Sequence, residues 1–549
     1  MQLFVAAWRP GGRRRDVGAA DRVSSYYGWS GLKYRAASVG GRCELHLWST
    51  QEDAAASQPS ITGTLTVRPY PDYGPTHGSV SEQLEGATNQ PPFVRVTRDA
   101  ERDELTVIND WLGVGRLFML QDADGVYFSN RPAALLLFAD RKALRNERGW
   151  RFLVGCGWTM GQTTAYAHVS AVPPGQIIRA GASFRQADAG TQPWSTQPTS
   201  LESVAEDLRQ LARSVAERHG EPLVVDLTGG RDSRLVAAAF LSAGVDIQVH
   251  THDGDPGEVR AAQELLELLP EPPKHLIENR AVEPVDLSEL SPRAVGWHRY
   301  SEGTRPASYL WLPPPQDLQP GPLAIGGAGG ELAHQFYYPA GAFLDDHSLA
   351  DRIRSARRIV SKRITDKAVA SQATRGAVRK RVTNVMTQAA ESGITDETMM
   401  DCFYARERLH RWSTAGETDR IVSPLLMPSF ITAAFAQTPQ QRVDNVLHRE
   451  LVRHLVPAWA DVPFFHGGTP PARALPRVAQ AADGNSIRAR ILDSSDSHEL
   501  VDIGTTERAW AASEAGESTP AEEQALCRMV WWESFNDHLT ALNEHMTNR

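Results

Sequence analysis

Paired cysteines are missing from this chain. Cys43, Cys156, Cys402 and Cys527 are scattered, with no CxxC or other close spacing. No disulfide framework follows, and packed, reduced thiols in a cytoplasmic protein are predicted. Long apolar runs are missing too. No window reaches the uncharged length of a membrane-spanning helix, so no membrane partner is expected. The opening MQLFVAAWRPGGRRRD sets its arginines after a short apolar run, the reverse of signal-peptide order. There is no basic excess either: 57 Lys and Arg face 66 Asp and Glu, a net charge of -9. Global attraction to nucleic acid is not implied. What is present is a globular composition, 41% hydrophobic and 22% charged. At 549 residues the chain has room for two large domains, each with its own core.

One stretch organises the rest, Leu223-Val224-Val225-Asp226-Leu227-Thr228-Gly229-Gly230-Arg231-Asp232-Ser233-Arg234. A short apolar run ends in a Gly-Gly turn, and an apolar-periodic segment follows. The pattern predicts buried strand, tight loop and helix N-terminus. Adjacent glycines let backbone N–H groups approach an anion. Thr228 and Ser233 add hydroxyls, and the helix start adds its positive dipole end. Asp232 is an acid where an anion is expected, which makes sense if a divalent cation bridges it to phosphate. The spacing is neither GxxxxGK[ST] nor GxGxxG.

Upstream, CELHLWS, SITGTLTVRPY, FVRVTRD and ELTVIND alternate as half-buried strands do. Asp110 to Phe118 reads as a turn into a strand, Gly125 to Asn130 as the return strand, and Ala133 to Phe138 as a helix. Residues 181–200 read as a linker or long surface loop. Thr199 and Glu202 have capping-box spacing. Leu201, Val204, Leu208, Leu211 and Val215 then share one helical face, which Gly220 ends. Val245 to His252 is predicted as a second parallel strand and residues 258–269 as a helix. Together they predict a doubly wound α/β unit, with ligands outside the C-terminal strand ends.

Residues Thr228–Ser233 resemble the SGGxDS pyrophosphate loop of the ATP-pyrophosphatase group, with Thr for the first Ser. Asp110 to Phe118, the hairpin, the helix and Val172-Pro173-Pro174-Gly175 follow the order of a class II glutamine amidotransferase domain. The chain thus resembles the asparagine synthetase-like family nearly throughout. The resemblance implies an Ntn-hydrolase-like α+β sandwich of four layers over residues 1–180. An α/β ATP-pyrophosphatase domain with a helical C-terminal part would follow over 201–549. The family's glutaminase uses an N-terminal Cys; that position is Gln2 here, so the front domain is expected to be inactive. Family members without that Cys, such as β-lactam synthetase and the lasso-peptide cyclases, take their amine from the substrate.

The resemblance implies further roles. Leu227, Thr228, Gly229, Gly230, Asp232, Ser233, Arg234, Thr251, Gly326 and Gly327 would bind ATP, and Arg231 with Ser233 would serve the leaving pyrophosphate. Gly326 to Leu332 aligns with the family's S-G-E-G-x-D-E-L. The family's second metal acid is Gly330 here, leaving Glu331 to share Mg2+ with Asp232. Glu302, Arg305 and Ser308 match the E…R-x-S stretch that lines the substrate pocket, with Glu302 meeting a substrate amino group. Alternatively residues 296–315 are an aromatic-rich crossover loop. Val422 to Phe430 lacks the Asp of the family's R-x-P-F-L-D segment. A late family lysine that neutralises the α-phosphate has no counterpart after Lys380, so that role is vacant or falls to Arg453, Arg473 or Arg477. The basic stretch 351–385 reads as a solvated face or as a dock for an acidic peptide. Met529 to Met546, with Trp531 and Trp532, predicts an amphipathic helix docked on a core.

The implied chemistry is an ATP-dependent, AMP- and pyrophosphate-forming ligase. A carboxylate is adenylated, and a substrate amine then closes an amide, as in lasso-peptide-like maturation. Partners would be a peptide or amino-acid-derived substrate, with a precursor peptide or maturation protease nearby. An ammonia-dependent asparagine synthetase and a non-catalytic nucleotide-binding scaffold stand as alternatives.

Overall fold

The computed structural model describes residues 2–12, 18–50, 65–67, 90–188, 194, 199–278, 289–316, 323–339, 341–412, 420–465 and 476–547. The first unit holds two antiparallel sheets. One runs β2 (Lys33–Gly40), β3 (Cys43–Ser49), β1 (Gln2–Trp8), β8 (Gly125–Ser129), β7 (Phe118–Asp122), β9 (Val169–Ala171). The other runs β11 (Phe184–Asp188), β10 (Gln176–Ala180), β6 (Glu104–Asn109), β5 (Val94–Asp99), β4 (Leu65–Val67). Of SITGTLTVRPY only Leu65–Val67 lies within the described residues.

The alternation in C-E-L-H-L-W-S marks two buried faces rather than one. Cys43, Leu45 and Leu47 pack on Val94, Val96, Leu105 and Val107 of the second sheet. Trp48 packs on the other side with Val23 and Ala134 of the helices Ala19–Tyr26 and Pro132–Ala139. Glu44 is buried there and satisfied by Arg9 and His46, as buried charge requires. Among the described residues the helices of this unit pack on the six-stranded sheet, so the expected four layers are three. β11 also occupies the start of the stretch read as a linker from 181.

The two turn motifs of this unit lock together. Buried Asp110 accepts from the amides of Phe93, Leu112, Val114 and Gly115 at 2.6–3.1 Å, charge-assisted bonds that fix the turn. Asn109 bonds Pro173 O at 2.9 Å and Gln176 N at 2.8 Å.

The second part is built on a parallel sheet: β14 (Lys274–Glu278), β13 (Ile247–His252), β12 (Leu223–Asp226), β15 (Ala324–Ile325), β16 (Ile421–Val422). The helix Leu201–His219 leads into it. Its cap is Ser200, whose side chain accepts from Ser203 N, one residue past the predicted Thr199. Gly220 ends it at φ 79°, a conformation that costs glycine little. This helix and Arg231–Ser242 bury Val225, Leu227, Ile247 and Val249. The opposite face is open among the described residues: Val224 is 39% exposed, and Asp226 and His252 are exposed. A doubly wound sheet covers both faces; among the described residues this one is covered on one.

From Leu349 to Thr547 helices dominate. In the basic stretch Arg358, Lys362, Lys367, Arg379 and Lys380 are exposed, while Arg381 turns in onto Glu407. The last helix, Pro520–Thr547, is longer than predicted, and Trp531 and Trp532 are fully buried. Aromatic burial of this size is a main source of stability. The helix packs against Leu290–Ser301 and against Trp150 and Leu153 of the first unit, so one core spans both parts of the chain. Residues 296–315, read above as a crossover loop, are the end of that Leu290–Ser301 helix and a 3-10 turn at Ala307–Trp311. All four cysteines are free and buried. Among the described residues no helix is long and apolar enough to cross a membrane.

Candidate active site

Strand order places the two glycine clusters side by side. β12 has β13 on one side and β15 on the other, so the sheet reverses direction of growth there. Crevices in parallel α/β sheets open outside the C-terminal strand ends at such a point. The loop after β12 and the loop after β15 line a cleft of about 370 Å³. Its walls include Thr228, Gly230, Arg231, Asp232, Ser233, Gly327, Glu331 and Phe465.

The glycines there are needed mainly by protein atoms. A Cβ at Gly330 would lie 2.2 Å from Asp232 Oδ1, and one at Gly327 2.7 Å from Asp232 Cβ. A Cβ at Gly229 would lie 2.5 Å from Phe465 Cβ. Gly326 leaves ordinary space, with its nearest atom at 3.8 Å, while a Cβ at Gly230 would crowd Thr228 Oγ1 at 3.2 Å. Asp232 thus fills the room that a side chain at position 330 would need.

Several loop donors are already used. Thr228 N donates to Ser233 Oγ at 3.1 Å, Gly230 N to Thr228 Oγ1 at 3.1 Å, and Gly229 N to Glu258 Oε2 at 2.7 Å. Glu258 thus puts a carboxylate against the loop. The helix Arg231–Ser242 has Gly230 as its N-cap and no side-chain cap, so its first-turn amides stay available to a ligand or water. The turn after β15 opens a four-residue 3-10 helix, Gly330–Ala333.

Asp232 sits among imidazoles that sequence reasoning missed. His448 Nε2 is 2.8 Å from its Oδ1 and His334 Nε2 is 3.7 Å from its Oδ2. Burial works against its charge, but the two imidazoles outweigh burial and hold the carboxyl well below its ordinary range. Burial pushes His448 the other way, towards its neutral form. The contact sets a carboxylate against an imidazole whose charged form burial disfavours. It also lacks hydrogen-bond alignment: Asp232 Oδ1 and both His448 nitrogens are buried without a hydrogen-bond partner. His448 lies on the buried face of the helix Val446–Leu455 with Leu447, Leu451 and Val452. A histidine in that apolar stripe was the available signal.

Glu331 accepts from Gly329 N at 2.9 Å. Burial, then the charge of Asp232, push its carboxyl up. Asp232 and Glu331 supply oxygen donors on one cleft, the kind a hard divalent cation takes. Asp232 Oδ1, which has no aligned hydrogen bond, fits such an ion.

Other predicted site residues are elsewhere. Arg234 is fully buried and holds Gly229 O, Val462 O and Pro463 O at 2.7–2.9 Å. It clamps the segment carrying Phe465 over the loop and does not line the cleft. Thr251 is buried, its hydroxyl on Leu227 O at 2.6 Å, and Leu227 is in the core. Glu302 is 1% exposed, held by Tyr27 Oη at 2.6 Å and Ala133 N at 2.8 Å. It ties the Leu290–Ser301 helix to the first unit, away from the cleft lining. Arg305 stacks on Tyr309 and Ser308 is exposed. Arg453 pairs with Glu450, and Arg477 bonds Ser518. Arg473 lies outside the described residues. Among the described lining residues the arginine is Arg231, whose guanidinium meets Asn445.

A larger cavity of about 700 Å³ lies between the first unit and the helical part. It is walled by Trp111, Phe152 and Trp158 and by Arg381, Arg406 and Arg411. It shares no lining residue with the cleft, and Asp232 is not among its walls. The smaller cleft is the candidate site because the acid, the hydroxyls and the glycine loops converge there. No protein-family model matches the chain, and no curated protein matches it.

Proposed function

We propose that this chain is an ATP-dependent amide-forming ligase or cyclase of the asparagine synthetase-like kind. It adenylates a substrate carboxylate, releases pyrophosphate and lets a substrate amine attack. The observation that supports it most is the position of Asp232. It is an acid at a helix start, at the reversal point of a parallel sheet, facing a cleft.

In this reading the carboxylate oxygen attacks the α-phosphorus, and the bond to the diphosphate breaks. The first-turn amides of the Arg231–Ser242 helix and the Arg231 side chain stabilise charge on the departing diphosphate. Asp232 and Glu331 would hold Mg2+, which screens that charge. His448 and His334 act on Asp232 as positioning residues. The amine then displaces AMP and loses a proton, giving the amide. The substrate class is a peptide or amino-acid derivative carrying both groups.

One observation favours a second reading, a nucleotide-binding scaffold without turnover. Glu258 occupies Gly229 N–H with a carboxylate, where a phosphate oxygen is expected. Pyrophosphate release separates the two. With ATP, magnesium and a peptide encoded beside the gene, the ligase releases one pyrophosphate per amide formed. Nucleotide binding without pyrophosphate, across candidate peptides, selects the scaffold.

A further inference from the structure

The open face of the parallel sheet carries a group of side chains that the ligase reading does not use. Asp226 ends β12, His250 and His252 lie two apart near the end of β13, and Glu278 ends β14. Pairing sets Asp226 beside His250 and His252 beside Glu278. Residues two apart on a strand share a face, so the four converge.

Ligand atoms of His250, His252 and Glu278 all lie within 4.8 Å of one another. His250 Nε2 is 3.0 Å and His252 Nδ1 3.4 Å from Glu278 Oε2. Donors bound to one tetrahedral ion at zinc distances stand ~3.3 Å apart, so this spacing needs little adjustment. The second nitrogen of His250, Nδ1, is 2.9 Å from Asp226 Oδ1. A metal-bound imidazole commonly directs its other N–H to a carboxylate, which fixes the tautomer. A solvated ion pair between imidazole and carboxylate needs one such contact; here one ring is held at both ends.

We infer that His250 Nε2, His252 Nδ1 and Glu278 form a binding site for a divalent transition-metal ion of the zinc class, with Asp226 orienting His250. Two imidazoles and one carboxylate suit zinc, cobalt or nickel rather than magnesium. The site is distinct from Asp232, although His250 and His252 also line the cleft. Three protein donors leave a coordination position for water or for a group of a bound molecule.

The test is titration of the full-length, chelator-stripped protein with zinc by calorimetry, and with cobalt by visible absorption. The account expects one zinc per chain at micromolar concentration and the d–d bands of low-coordinate cobalt. The exposed substitutions His252→Ala and Glu278→Gln should each weaken binding roughly 10- to 100-fold and bleach the cobalt bands. Asp226→Asn should weaken it less, and Asp232→Asn should leave it unchanged. Magnesium in excess should not compete. Absence of saturable binding overturns the assignment, and so does binding that survives in the His252→Ala, Glu278→Gln double variant. Loss of binding in Asp232→Asn alone places the ion at the other acid and equally overturns it. None of these outcomes depends on whether the chain turns over ATP.

Discussion

His448 Nε2 lies 2.8 Å from Asp232 Oδ1, across two helices that are more than two hundred residues apart in sequence. With His334, the contact favours the charged form of the acid on which the proposed chemistry turns. Asp232→Asn removes that charge while keeping shape. It is expected to abolish pyrophosphate release with the thermal midpoint nearly unchanged. His448→Gln keeps bulk and polarity and is expected to lower the rate roughly 10- to 100-fold, the usual cost of losing a partner of a metal-binding acid. Wild-type turnover in Asp232→Asn would remove the acid from the mechanism.

Gly330→Ala tests the packing of the same acid. Its Cβ would overlap Asp232 Oδ1, so the carboxylate must swing away. Folding is expected to suffer by only about 1 kcal/mol, since a side-chain end can move. Magnesium-dependent nucleotide affinity is expected to drop at least tenfold. Equal affinity in calorimetry would show that the carboxylate's present orientation does not matter.

Strands β3 to β8, β12 and β13 and the Gly-Gly loop were legible because alternation and glycine pairs act locally, whereas β1, β2 and β9 to β11 were not read as strands. CELHLWS showed its pleat, though not that its polar face is buried with Arg9 and Glu44. The roles of Arg234 and Glu302 were not legible. Motif position suggested a phosphate contact for one and a substrate contact for the other. Partners at 462–463 for the first, and at Tyr27 and Ala133 for the second, instead turn both into structural ties. His448 stood out only as a histidine in an apolar stripe, and its role and that of His334 were hidden for the same reason. Their partner lies far away in the chain: the packing of Val446–Leu455 on Arg231–Ser242 brings His448 to it, and the pairing of β12 with β15 brings His334. The open sheet face likewise depends on where helices settle rather than on strand pattern.

Arg234→Met should act on stability rather than on nucleotide contact. It leaves the carbonyls of Val462 and Pro463 without their buried donor. The expected loss is about 3 kcal/mol in urea unfolding, with the Phe465 segment loosened. A stable variant with lost nucleotide affinity would restore Arg234 as a ligand contact.

Acid sensitivity should trace in part to His538, fully buried against Tyr166 Oη at 2.7 Å. Burial, then Arg299, push it down from 6.5 to about 3. Below the unfolded value the unfolded chain binds the proton and the folded chain does not. Stability from this residue is therefore full above 6.5 and is lost as pH falls towards 3. Relative to His538→Gln, the wild type should lose roughly 2 kcal/mol between about pH 7 and about pH 5. Parallel stability curves for the two proteins would contradict this.

The most direct measurement is equilibrium binding of a non-hydrolysable ATP analogue, with and without magnesium, to the wild type and to Asp232→Asn. The account predicts one site per wild-type chain, strengthened by magnesium, with the magnesium effect gone in the variant. A wild type that binds no nucleotide, or a variant whose magnesium effect is intact, would contradict it.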